Sequence, residues 1–119
     1  MDNKTNSQYP LEKRTYDFSK AVINNCRVIS NGLVNQDLVR QVLKSATSIR
    51  ANYREANGAI SRDDFRSKVF ICKKESQETL YWLLLIQDTI PGVNFKKEIK
   101  EAEELVKIFG KICSTLKKK

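Results

Sequence analysis

Apolar residues recur along the chain at intervals of three and four, the period of helices laid against a core. The first run, from about Thr15 to Ser30, carries Phe18, Val22 and Ile29 on one stripe with Ala21 and Cys26 beside them, and Asn31-Gly32 ends it. A second, from about Gln36 to Ala56, carries Leu38, Val42, Ile49 and Tyr53, widened by Leu43, Ala46 and Ala56. Asn57-Gly58 reads as its stop, since both residues tolerate the left-handed conformation that follows many helix C-termini. The third helix opens at Ser61-Arg62-Asp63-Asp64, a serine N-cap with an acidic residue three positions on, and both aspartates suit the positive end of a helix dipole. Nothing interrupts it before Pro91-Gly92, so it spans ~30 residues, or ~45 Å at 1.5 Å per residue. The fourth, from about Phe95 to Leu116, steps through Phe95, Ile99, Ala102, Val106, Phe109, Cys113 and Leu116, the seam of a bundle. No strand alternation, repeat array or low-complexity tract is present. The expected fold is all-α: an antiparallel up-down four-helix bundle over residues 15–116, preceded by a polar N-terminal arm (1–14) and followed by a basic tail (117–119).

The third helix carries more apolar surface than one bundle uses. Its core stripe is Phe65, Val69, Cys72, Ser76, Thr79, Leu83, Ile86 and Ile90, yet from Leu80 to Ile86 the helix is apolar all the way round. A bundle helix shows one apolar face, so Leu80, Tyr81, Trp82, Leu84 and Leu85 are expected to form a self-association surface. A second stripe places Glu75 and Glu78 with Ile71 and Trp82, and Ser45, Ser48, Asn52 and Glu55 run beside the apolar face of the second helix. Carboxylates among such neighbours are costly unless paired, so Ser48, Asn52, Glu55, Glu75 and Glu78 are expected to form a buried network with Lys44 or Lys68 as its cation.

Composition narrows the chemistry. The 119 residues include 22 Lys and Arg against 14 Asp and Glu, a net charge of +8, and no histidine. The commonest general base and the commonest metal ligand are therefore missing, with every Ser-His or Cys-His nucleophile pair. Cys26, Cys72 and Cys113 are isolated thiols at apolar positions, expected to be core residues and not a zinc site. No signal peptide is read at the start and no apolar run approaches the ~20 residues that span a bilayer, so a cytoplasmic protein without membrane contact is expected. Residues 40–74 hold nine Lys and Arg against Glu55, Asp63 and Asp64, and so supply six of the eight net positive charges. Arg40, Lys44, Arg50, Arg54, Arg62, Arg66, Lys73 and Lys74 are the candidate contacts to a phosphate backbone.

Ser45-Ala46-Thr47-Ser48-Ile49-Arg50-Ala51-Asn52-Tyr53-Arg54-Glu55-Ala56, then Ser61 to Phe65, then Lys74-Glu75 with Glu78 and Tyr81-Trp82-Leu83, resemble one small bacterial family. It is the four-helix-bundle proteins encoded in intervening sequences of large-subunit ribosomal RNA genes. Glu101-Ala102-Glu103-Glu104-Leu105 through Lys107-Ile108 is similar to that family's last helix, and the resemblance covers roughly residues 11 to 117. It implies a cytoplasmic homo-oligomer, a barrel-like ring of five. The chain is similar also to the accessory variability protein of diversity-generating retroelements, a basic pentamer that binds nucleic acid. Arg50 departs from the pattern, standing where the family commonly has glycine.

The function expected is non-catalytic binding of RNA or DNA backbone with little sequence preference, without a cofactor or metal; no base-reading motif is present. The rival is an oligomeric scaffold for a protein partner, the positive surface serving only solubility. A remote third reading is a Mg²⁺-dependent nucleotide hydrolase, in which Glu75 and Glu78 sit one turn apart and Glu101 and Glu104 repeat the spacing.

Overall fold

In a computed structural model, residues 3–117 are described, with side chains from Pro10 to Leu116. Met1, Asp2, Lys118 and Lys119 lie outside the described residues. Four helices follow in order: α1 (Asn3–Cys26), α2 (Leu33–Asn57), α3 (Arg62–Thr89) and α4 (Lys96–Lys117). Each packs on the next, and α1 meets α4 along the sparsest seam. Cross-helix bonds fix the antiparallel register. Ser19 Oγ donates to the Ala46 carbonyl at 3.1 Å (α1–α2), Thr79 Oγ1 lies 2.8 Å from Ser45 Oγ (α2–α3), and Arg62 reaches the Leu116 carbonyl at 3.4 Å (α3–α4).

Residues 3–14, expected as a polar arm, form the first turns of α1, with Pro10 inside the helix. Thr15 and Leu11 are buried one and two turns ahead of Phe18, completing a stripe that Thr15 hides. Its hydroxyl is satisfied by donation to the Leu11 carbonyl at 3.0 Å, so a polar residue occupies a core position without an orphaned group. At the other end Cys26 closes the helix, and Ile29 enters the core from the loop.

α2 stops at Asn57 as expected but by another geometry. Gly58 has φ −98° and its N–H donates to the Glu55 carbonyl at 3.1 Å, a tightened last turn. The left-handed position lies in the α3–α4 loop, where Gly92 has φ +83° directly after Pro91. Ser61 does cap α3, its Oγ accepting from the Asp64 N–H at 3.0 Å.

The core follows the predicted stripes on α2 and α3, with Val42, Ile49, Tyr53, Val69, Cys72, Leu83 and Ile86 buried. On α4 the stripe turns: Phe95, Glu98, Ala102, Leu105, Phe109 and Cys113 are buried, while Ile99 and Val106 are half-buried. Glu98 and Leu105 keep the seven-residue spacing but lie on the face next to the one assigned to Ile99 and Val106. Cys26, Cys72 and Cys113 are buried free thiols, and burial pushes Cys26 up to about 11 and Cys72 up to about 12.

Candidate nucleic-acid interface

The eight candidate cations divide into three groups. Arg54 in the last turn of α2 and Arg62 and Arg66 at the start of α3 flank the α2–α3 loop and the end of α4, while Lys73 and Lys74 lie three turns along α3, about 16 Å from Arg62 at 1.5 Å per residue. Arg54, Arg62 and Lys74 are exposed, Arg66 and Lys73 half-buried. Arg62 and Arg66 each reach a carbonyl of the last α4 turns, Leu116 and Cys113, both at 3.4 Å. These two cations complement the negative end of the α4 dipole, a placement that also holds their guanidinium groups in register. The stem of Lys73 lies over Gly110, where a Cβ would sit 3.7 Å from Lys73 Cε.

Acidic groups are interleaved with these cations. Glu55 is engaged by Lys68 at 3.1 Å, a contact that raises the lysine's pKa, while Asp63 and Asp64 occupy the first turn of α3. Among the described residues no carboxylate lies within ion-pair distance of Arg54, Lys73 or Lys74.

Arg40 and Lys44 form a second group, ten or more residues up α2 from Arg54 and so at least about 15 Å away at 1.5 Å per residue. Arg40 is paired with Asp37 at 2.6 Å.

Arg50 is half-buried and engaged within the fold. Its guanidinium carbon lies 4.8 Å from the centre of the Tyr16 ring, and Nη2 approaches Glu12 Oε1 at 3.9 Å. Its Nε is buried without a hydrogen-bond partner. Glu12 also accepts from Asn57 Nδ2 at 3.1 Å, so Arg50 belongs to the join between α1 and α2.

The expected buried polar network breaks up. Asn52 donates to Ser48 Oγ at 3.0 Å and to the Ser48 carbonyl at 2.9 Å, both half-buried on α2. Glu55 and Glu78 are exposed; Glu78 accepts from Trp82 Nε1 at 3.3 Å. Glu75 is half-buried, and desolvation, with Glu78 next, raises its pKa against the opposing pull of Lys44 and Lys74. The buried polar residues are Thr15, Ser19, Ser45, Ser76, Thr79 and Glu98; Ser45 lies on the expected polar stripe of α2, and Ser76 and Thr79 on the expected core stripe of α3.

Nor do the two acidic pairs converge. Glu101 accepts a two-point contact from Arg14 at 2.9 and 2.7 Å, and Glu104 lies beside Lys107 at 3.9 Å. No group of three or more His, Cys, Asp or Glu among the described residues is placed to hold a metal ion.

The expected association surface is redistributed around α3. Leu80 is half-buried against the core, and Trp82 and Leu85 are half-buried. Tyr81 and Leu84 are 57% and 42% exposed, joined by Phe70 at 46%, and the three lie on the flank of α3 that adjoins α4. Phe70 precedes Leu84 by two heptads, so the stripe begins well before the apolar run that signalled it. No helix among the described residues is long and apolar enough to cross a membrane.

Comparison with known proteins matches this architecture. A crystal structure of a protein of unknown function from the S23 ribosomal protein family of Bacteroides thetaiotaomicron VPI-5482 superposes with a TM-score of 0.73 at 33% identity, covering 86% of this chain and 96% of that one. Among curated proteins none matches. The profile of the 23S rRNA-intervening sequence proteins matches residues 9–112, nearly the whole bundle. The chain belongs to the 23S rRNA-intervening sequence protein family.

Proposed function

We propose that this protein is a non-catalytic homo-oligomer that binds the phosphate backbone of RNA or DNA through the cations around the α2–α3 loop. The observation that carries the reading is the set of Arg54, Arg62, Arg66, Lys73 and Lys74 along the α2–α3 loop and the first half of α3, of which Arg54, Lys73 and Lys74 have no carboxylate within ion-pair distance among the described residues, on a chain with net charge +8. Backbone binding needs clustered cations, and such contacts gain from the release of condensed counterions. Side chains anchored on helices and, for Arg62 and Arg66, steadied by α4 carbonyls read shape and charge spacing, not base edges. The family's association with 23S rRNA intervening sequences agrees with a nucleic-acid setting.

Self-association through the Phe70, Tyr81 and Leu84 stripe, as a ring of five, would repeat the cluster with the symmetry and turn a weak contact into avidity. The same stripe supports the rival reading, a scaffold whose partner is another protein.

Fluorescence anisotropy with nuclease-treated protein and a structured RNA tests the proposal. Arg54→Glu combined with Lys74→Glu reverses two exposed charges whose side chains make no hydrogen bond among the described residues. This double variant is expected to weaken binding by about tenfold or more, losing phosphate contacts and adding repulsion. Unchanged affinity would remove the cluster from the interface, and absence of binding even at low salt would leave the scaffold reading. For the assembly, light scattering of Tyr81→Glu with Leu84→Glu is expected to show smaller species than the native protein.

A further inference from the structure

The outer face of α3 carries a second periodicity that its own bundle does not use. Phe70, Gln77 and Leu84 recur by seven, and Lys74, Tyr81 and Asp88 follow each of them by four. All six are exposed. A four-three alternation is the spacing of a helix that lies along another helix, yet no helix of this chain covers this one. The C-terminal half of the stripe, from Gln77 to Asp88, presents Tyr81, Leu84 and Asp88, with Glu78 exposed beside them and no Lys or Arg in the segment. On a chain of net charge +8, this is an apolar stripe with acidic edges.

The complementary surface lies between α1 and α2. An open groove of about 470 Å³ there is lined by Ile23 and Leu43, both half-buried, with Thr47, Arg40 and Lys44. Lys20 and Arg27 stand one turn to either side of Ile23 on α1. Arg40 is paired with Asp37, but Lys20, Arg27 and Lys44 have no carboxylate within ion-pair distance among the described residues. An apolar floor edged by cations matches an apolar stripe edged by carboxylates. The two also lie at the same height along the bundle. The bond between Ser45 and Thr79 sets the stretch from Arg40 to Thr47 beside the stretch from Gln77 to Leu84, with Leu43 level with Tyr81. The bond from Ser19 to the Ala46 carbonyl sets Ile23 level with Val42.

We propose that the α1–α2 groove is the acceptor for the α3 stripe of a second copy of this chain, in a head-to-tail contact. A copy lying parallel to the first brings Tyr81 and Leu84 onto Ile23 and Leu43 without sliding along the bundle axis. The same placement sets Glu78 near the height of Lys20 and Lys44, and Asp88 near that of Arg27, each within about 3 Å at 1.5 Å per residue. The contact rests on the self-association reading above and supplies the half that α3 alone lacks. It uses two different faces of each copy, so every copy has one of each to offer, and the assembly closes into a ring or runs on. Pairing of stripe with stripe would end at a dimer and leave the groove unused.

The test mixes two variants of the nuclease-treated, full-length protein and measures mass by light scattering. One spoils the groove at exposed positions, Lys44→Glu with Thr47→Glu; the other spoils the stripe, Tyr81→Glu with Leu84→Glu. Each alone is expected to be monomeric. Mixed in equal amounts, they are expected to form a one-to-one dimer and nothing larger. The intact stripe of the first meets the intact groove of the second, and the two faces left over are both spoiled. A groove variant that assembles like the native protein overturns the proposal while leaving self-association through α3 in place. A mixture that stays monomeric, with both variants folded by circular dichroism, overturns it too. A monomeric native protein would remove the self-association reading, and this contact with it. Lys44→Glu alone, a single exposed change that serves if the double variant does not fold, is expected to weaken assembly by about tenfold, and unchanged assembly would overturn the proposal.

Discussion

The α2–α3 seam and the α1–α4 seam are built on different physics. Between α2 and α3 the contact is long and dry: Val42, Ile49, Cys72 and Leu83 are buried, and the polar groups admitted there, Ser45 and Thr79, satisfy one another. Between α1 and α4 the contact is short, closed by the Arg14–Glu101 pair, and leaves an open groove with charged residues along it. Charge follows the same division. The positive excess lies on the α2–α3 side, and the locally negative lining on the other. Helices that adjoin in sequence share a tight hairpin, whereas the first and last must close the ring across the whole chain, and here an ion pair contributes to that closure.

The largest effect should come from emptying the dense seam. Ile49→Ala removes a fully buried side chain beside Cys72 and is expected to cost roughly 2–5 kcal/mol in urea unfolding. At the sparse seam Arg14→Gln is expected to cost no more than about 1 kcal/mol, since the pair is partly exposed. Its clearer signature is faster amide hydrogen exchange in α1 than in α3. Equal costs for these two variants would contradict the contrast drawn here. Gly110→Ala should gain up to about 1 kcal/mol of helix propensity, because the added Cβ meets only the Lys73 stem at ordinary contact distance. The smallest effect is expected at Glu75. Burial raises its pKa above the usual 4.5, so its contribution to stability is present below that range and lost as pH rises through the raised value. Glu75→Gln should therefore be slightly more stable than the native protein at pH 7, with the advantage vanishing in acid, as paired thermal melts would show.

Much of the fold was legible because α2 and α3 obey simple rules. Ser61 caps where a serine followed by acids should, and the α3 core stripe runs through Ser76 and Thr79 as its spacing required. The start of α1 was hidden by Thr15, polar by composition but self-satisfied in the helix. On α4, Leu105 and Val106 are adjacent apolar residues, and only packing against both neighbours selects Leu105. Glu98 sits at core spacing between Phe95 and Ala102, yet a charged residue is not read as core. The candidate site was legible as a charge count over residues 40–74 but not as a surface. Arg50 counts as a cation in sequence, and only the neighbouring helix, through Tyr16 and Glu12, withdraws it from solvent. Glu55 and Glu78 share stripes with apolar residues but stay exposed, because long side chains reach water from the margin of a stripe.

The most direct test of the central claim is the salt dependence of binding by the native protein. Anisotropy titrations with a structured RNA and a DNA duplex should give an affinity that falls steeply and linearly in log–log form as salt rises, the signature of phosphate contacts made by several cations. Absence of binding at low salt, or an affinity indifferent to salt, would contradict a phosphate-reading surface around the α2–α3 loop.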